Sequence, residues 1–106
     1  MIYATEILHK AGNLITGSRK ETHGDFVENH KNIAKLWSAY LEIKISPIQV
    51  LTMMALLKIA RTKTGKYDPD NNIDAIGYLA LDGQLRSKLE QENDEWKENI
   101  LHRCIE

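Results

Sequence analysis

Residues 46–61 read SPIQVLTMMALLKIAR, and this stretch decides the fold class. Its opening serine and proline, with a glutamine three residues after the serine, are the pattern of a helix N-terminus with a capping box. The rest is apolar on almost every side of a helix, with Thr52 and Lys58 as interruptions. A helix of that kind is central in its fold or lies in a subunit interface. We therefore predict a helix over 47–63 at the centre of an all-α protein.

Helical periodicity continues on both sides of this stretch. Apolar residues recur at three- and four-residue steps over 2–16 and over about 26–43. A further, mostly buried helix begins near Asn71, and a sparser amphipathic tail helix is predicted at about 84–105. We therefore expect a single all-α domain over 1–106, a compact helical bundle of about four to five helices that assembles into a homo-oligomer.

Composition excludes several classes of protein. The formal net charge of -1 gives no electrostatic case for binding a nucleic-acid polymer. A single cysteine and four scattered histidines provide neither a disulfide framework nor a closed zinc-ligand set. No apolar run reaches about 18 residues, and the N-terminus lacks the apolar centre of a signal peptide. We therefore expect a cytoplasmic protein that does not bind membranes.

The first polar group that could carry chemistry lies at the start of the second helix. It contains His23, Asp25, Glu28 and Asn29. A helix N-terminus attracts anions, and two carboxylates three residues apart can share a divalent cation on one turn. The alternative is plain helix capping by Asp25, and the pattern alone favours that alternative.

The second polar group is Lys58 with Arg61, three residues apart at the end of the central helix. A lysine in such an apolar stretch must be paired or must reach solvent. Together the two cations could hold phosphates, Arg61 as a planar fork and Lys58 as a point charge. The alternatives are that both extend into solvent or pair with acids of the next helix.

The third polar group follows Asp70. Asn71, Asp74 and Tyr78 lie at positions i, i+3 and i+7, on one face of a helix. Asp74 is an acid in an apolar stretch and needs a partner, which Lys58 or Arg61 can supply. This arrangement is either a structural ion pair between helices or the floor of a ligand site.

A set of motifs occurs in order along residues 20–82. They are His23-Gly24-Asp25-Phe26, Glu28-Asn29, LWSAYL at 36–41, LKIAR at 57–61, Asp70-Asn71 with Asp74, and Gly77-Tyr78. Together these motifs resemble a family of small phage and prophage proteins of unknown function. One position departs from the family pattern, because His23 stands where tyrosine is usual.

This family in turn resembles the MazG-like all-α nucleotide pyrophosphohydrolases and a nucleotide-modification-associated phage domain. The resemblance implies an oligomeric helical bundle that binds nucleotides between its helices. MazG-like enzymes hold magnesium with a larger acid cluster than the pairs Asp25/Glu28 and Asp70/Asp74 provide here. Asn29 and Asn32 stand where further acids would be expected, so the site is better suited to holding a phosphorylated ligand than to cleaving it.

The leading hypothesis is a phage nucleotide-binding protein of the host-cell cytoplasm, which sequesters a nucleotide or cyclic nucleotide, such as an immune signal, without a cofactor. We call such a protein a sponge. Its ligand-binding residues would be His23, Asp25, Asn29, Lys58, Arg61, Asp70, Asn71, Asp74 and Tyr78.

Two alternatives remain open. One is a magnesium-dependent nucleotide pyrophosphohydrolase of MazG-like type, with Asp25, Glu28 and Asp74, joined by Asp70, as metal ligands. The other is a structural oligomeric adaptor, whose tail helix packs on a partner through Trp96 and Ile100.

Overall fold

The structure, a computed structural model, describes residues 1–16 and 26–105, with side chains up to residue 93. Within these ranges the chain forms four helices and no strand, which confirms the all-α prediction. The helices are α1 (Ala4–Thr16), α2 (Phe26–Leu41), α3 (Pro47–Arg61) and α4 (Pro69–Ile105).

Helix α3 is the centre of the fold, as its sequence predicts. It packs against both α2 and α4, and Val50, Leu51 and Ala55 are buried on it. The capping box at its start is confirmed. The Ser46 hydroxyl accepts from the Gln49 backbone N–H at 3.1 Å, and the Gln49 side chain accepts from the Ser46 N–H at 2.9 Å.

The connection between α2 and α3 is short and closed by hydrogen bonds. Helix α2 ends two residues before its predicted end at 43, because Glu42 takes a left-handed conformation with φ 57°. Ser38 then ties the helix to the connection, since its hydroxyl accepts from the Ile45 N–H at 2.8 Å. This bond fixes the direction in which α3 leaves α2.

Helix α4 is continuous, so the predicted separate tail helix at about 84–105 is wrong. It begins at Pro69, not at Asn71, because proline is well suited to the first helical position. Its 37 residues run on through Gly83 and span about 55 Å. All side chains from 86 to 93 are exposed. Residues 86–93 therefore lie outside the packed part of the bundle, and the molecule measures 63 × 36 × 27 Å.

Helix α1 packs against the first half of α4. Its contact surface includes Leu14 and Ile15, whose side chains would lie 3.6 Å from a Cβ atom built on Gly77. The missing side chain at Gly77 therefore lets the two helices approach, although an alanine would also fit. Among the described helices, none combines the length and apolar character needed to cross a membrane.

Candidate functional site

Four polar residues form a line along α4, which we call the polar seam: Asn71, Asp74, Tyr78 and Asp82. Their spacings of three, four and four residues place them on one face of the helix. The first three are partly buried and Asp82 is buried, so the seam faces the interior. Helix α4 thus turns a polar line towards the other helices, where an apolar one would be ordinary.

The middle of the seam contains an ion pair between α3 and α4. The Lys58 ammonium Nζ lies 3.0 Å from Asp74 Oδ2, and the side chains are 16% and 14% exposed. The pairing expected between these helices is therefore present, with Lys58 as the cation. Because both groups have lost most of their water, their interaction is stronger than that of a surface pair, yet both remain reachable from solvent.

An aromatic cluster lies one turn further along the seam. The ring of Tyr78 meets those of Phe26 and His30 edge-on, with 5.9 Å between ring centroids in both pairs. Phe26 and His30 stack at 4.8 Å, and His30 Nδ1 lies 2.7 Å from the Phe26 carbonyl oxygen. Since α2 contributes two of these rings, the cluster joins the start of α2 to the seam.

The seam ends in a carboxylate that sequence reasoning missed. Asp82 is 6% exposed, and its Oδ2 accepts a 2.5 Å hydrogen bond from the Thr52 hydroxyl. Its Oδ1 accepts from Arg86 Nε. Burial by itself raises the pKa of Asp82, but the bonds from Thr52 and Arg86 and the arginine charge outweigh it, so the pKa lies below 3.8. The available signal was spacing, because Asp82 follows Asp74 by two turns.

The other predicted residues are less concentrated. Arg61 and Asp70 are exposed, and Asn29 is partly buried in the first turn of α2. Asn71 lines a small cleft of about 140 Å³ beside the α3–α4 connection. The structure thus brings Lys58, Asp74 and Tyr78 close together, with Arg61 one turn from Lys58. The remaining lining residues of the cleft are Thr62, Lys66, Tyr67, Asp68 and Asn72.

Only some of the magnesium ligands that the alternative hypothesis predicts lie among the described residues. His23 and Asp25 lie outside the described residues. The Glu28 carboxylate is 3.2 Å from the Lys31 ammonium on the surface of α2. Across residues 1–16 and 26–93, no three histidine, cysteine or acidic side chains gather in a way that could hold a metal ion.

Comparison with known proteins places these features in context. A family model described as a domain of unknown function (DUF6378) matches residues 6–86. The chain is 44% identical over 76 residues to the Gene 55 protein of Mycobacterium phage L5, covering 71% of this chain and 49% of that protein. The Gene 55 protein of Mycobacterium phage D29 is 47% identical over 72 residues, with 68% and 48% covered.

The chain spans about half the length of the curated relatives it matches. No solved structure matches it. The family match includes the whole seam and most of α1, and it extends beyond the residues 20–82 on which the sequence resemblance depended.

Proposed function

The chain belongs to the family described as a domain of unknown function (DUF6378), whose relatives include phage proteins, and from that premise we propose that it binds a nucleotide-derived small molecule without cleaving it. The observation that carries the proposal is the Lys58–Asp74 pair. It is a partly desolvated cation and anion, 3.0 Å apart, beside an aromatic cluster. The MazG-like resemblance remains a prediction.

The pair selects for a ligand with two kinds of polar group. The Lys58 ammonium attracts a phosphate, and Arg61, one turn towards the exposed end of α3, adds a second cation. The Asp74 carboxylate repels phosphate but accepts hydrogen bonds from hydroxyl or amino groups. A nucleotide presents both chemistries, with phosphates at one end and ribose and base donors at the other.

The neighbouring residues have roles in the same proposal. Asn71, one turn before Asp74, offers an amide to ribose or base, and Asn29 offers another from α2. Phe26 and Tyr78 of the aromatic cluster are only partly buried, so their rings are candidates for stacking against a base. From the resemblance, His23, Asp25 and Asp70 are further candidate contacts.

The partners of the described acids favour holding over cleavage. Asp74 faces the Lys58 ammonium, and Asp82 accepts from Thr52 and Arg86. A carboxylate already neutralised by a cation is a poor ligand for magnesium, whose binding depends on negative oxygen donors. In this proposal the protein acts as a cytoplasmic sponge. It sequesters its ligand by affinity and copy number, without turnover and without a cofactor.

The test is equilibrium dialysis of the protein against ATP, cyclic AMP, cyclic GMP and ADP-ribose, each with magnesium. Arg61→Ala removes an exposed side chain, so the fold is retained. We expect it to weaken binding of whichever probe the wild type takes by about tenfold, the loss typical of one charge-assisted contact. Lys63→Ala, an exposed cation two residues on, is the matched control and should bind normally.

Two outcomes would contradict the proposal. One is that no probe binds the wild-type protein. The other is that Arg61→Ala and Lys63→Ala bind with equal affinity. Conversion of a probe in solution that stops when a chelator is added would instead support the magnesium-dependent pyrophosphohydrolase.

A second candidate function, an oligomeric adaptor, is favoured by a separate observation on α3. Met53, Leu56 and Leu57 are each at least 40% exposed, with Leu56 at 57%. They lie on one side of the central helix, where burial against a second copy of the chain would remove apolar surface from water. We expect Leu56→Lys to lower the molecular mass in solution if this surface holds subunits together.

A further inference from the structure

An open groove, separate from the polar seam in its lining residues, combines an apolar floor with a basic rim. It has a volume of about 410 Å³ and lies between α2 and the start of α3. Ala34, Ile45 and Pro47 form its apolar part. Among the side chains that the structure describes, its lining includes none from α4 and no member of the ion pair or of the aromatic cluster.

Three lysines rim the groove: Lys31, Lys35 and Lys44. Glu28 lies 3.2 Å from Lys31, but both side chains are at least half exposed, so this surface pair exchanges partners at little cost. The positive charge of the rim therefore favours an acidic partner. The apolar floor calls for a partner that also presents apolar side chains, as an amphipathic helix does.

The chain itself contains such a helix in the distal half of α4. Residues 90–98 include five acids and one base, a net charge of -4. Leucines at 85 and 89 begin a sequence stripe that continues at steps of seven and four to Trp96 and Ile100. Leu85 is partly buried, but Leu89 is 44% exposed, so its apolar side chain is available to a partner.

We infer that the lysine-rimmed groove binds the acidic distal half of α4 from a second copy of this chain. A second copy supplies the helix, because α4 is one uninterrupted helix and none of its side chains described up to residue 93 lines the groove of its own chain. The rim lysines pair with acids of this segment such as Glu90 and Glu92, and the apolar floor covers Leu89. The inference deepens the adaptor proposal and rests on self-association, but it does not depend on nucleotide binding.

The experiment compares the molecular mass of full-length variants by light scattering after gel filtration. Lys35→Glu/Lys44→Glu reverses the rim, and Glu90→Lys/Glu92→Lys reverses part of the tail. Each should raise the dissociation constant of the dimer at least about tenfold, because the first variant places acids against the acidic tail and the second cancels the negative charge of the tail. An equimolar mixture of the two variants should return to within about threefold of the wild-type constant, since opposite charges meet again.

Lys10→Glu/Lys63→Glu is the control, because it makes the same change of charge at exposed positions outside the groove. It should leave the dimer intact. Circular dichroism of each variant checks that the helices are retained.

A wild-type protein that stays monomeric at high concentration would overturn both self-association and the groove. A wild-type oligomer whose mass is unchanged by the rim and tail variants would overturn the groove alone. The groove assignment would also be overturned if both variants dissociate to monomers and an equimolar mixture does not form the dimer again. Direct pairing of the two surfaces requires that the mixture dimerise. None of these outcomes bears on binding of the nucleotide probes.

Discussion

The two aspartates of the polar seam lie eight residues apart on the same helix, yet their surroundings differ. Asp82 has both carboxylate oxygens occupied, one by Thr52 and one by Arg86, and it is almost fully buried. Asp74 meets the ammonium of Lys58, and this pair is more accessible to solvent. Both acids join α4 to α3, but Asp74 lies beside the Lys58 ammonium and the aromatic cluster, whereas Asp82 is held by Thr52 and by Arg86, an exposed residue of α4 itself.

The partners of the two acids indicate different roles: Asp82 stabilises the packing of the helices, and Asp74 belongs to the candidate site. The Thr52 hydroxyl, in the second turn of α3, holds the Asp82 carboxylate in one position. This end of the seam therefore fixes how α4 packs against α3. An ammonium on a flexible four-carbon stem can exchange one oxygen partner for another. The Lys58–Asp74 end therefore combines a structural contact with the capacity to accept a ligand.

Breaking the pair at Asp74 should have the largest effect on stability. Lys58→Met keeps much of the apolar stem but leaves the partly buried carboxylate without its cation. We expect the free energy of unfolding to fall by about 2–3 kcal/mol, somewhat less than for a fully buried pair. Urea denaturation measures this, and Lys58→Arg, which retains the charge, should lose less than half as much. Equal stability of wild type and Lys58→Met would show that the pair contributes nothing to the fold.

Removing the charge of Asp82, at the other end of the seam, should lower the free energy of unfolding by a smaller amount, and this amount depends on pH. Because the pKa of Asp82 is lowered in the folded state, its ionised form stabilises the fold, fully above the unfolded pKa of about 3.9. That contribution is lost as the pH falls through the lower folded value. Asp82→Asn should therefore cost about 1–2 kcal/mol at pH 7, and less as the pH falls below about 4.

Urea denaturation of wild type and Asp82→Asn at a series of pH values gives this difference directly. Thr52→Val, which removes the hydroxyl donor but not the acid, is the companion variant and should reduce the stability by about 1 kcal/mol at pH 7. A difference between wild type and Asp82→Asn that is constant from pH 7 to pH 3 would contradict the assignment of the lowered pKa.

The smallest effect concerns the point where the seam passes into the distal half of α4. Gly83 lies inside a continuous helix, and a Cβ atom there would have no neighbour within 4 Å. Gly83→Ala should therefore raise the free energy of unfolding by about 0.5–1 kcal/mol, because alanine favours the helix. A loss of stability in thermal or urea unfolding would indicate that the helix bends at this glycine.

Much of this arrangement follows from the sequence, for identifiable reasons. The capping box at Ser46 and the central position of α3 were predictable because both follow from the local sequence pattern of residues 46–61. A pairing of Asp74 with Lys58 or Arg61 was predictable because a charge in an apolar stretch needs a partner, but the choice of Lys58 was not.

The rest depends on contacts that local pattern does not reveal. Gly83 and Asn93 indicate a break in the last helix, but α4 remains helical because neither residue prevents it and proline is absent. Asp82 precedes that glycine and so resembles a helix-end residue. Its burial arises only because Thr52, on a different helix, offers a hydroxyl at the right height.

The most direct test of the proposed function identifies what the wild-type protein retains. The protein is mixed with linear and cyclic nucleotides and magnesium, separated from free ligand and heated, and the released molecules are identified by mass spectrometry. We expect an intact nucleotide to be released in stoichiometric amount, with or without chelator in the mixture. Release of nothing, or recovery of a converted nucleotide only when magnesium is free, would contradict it.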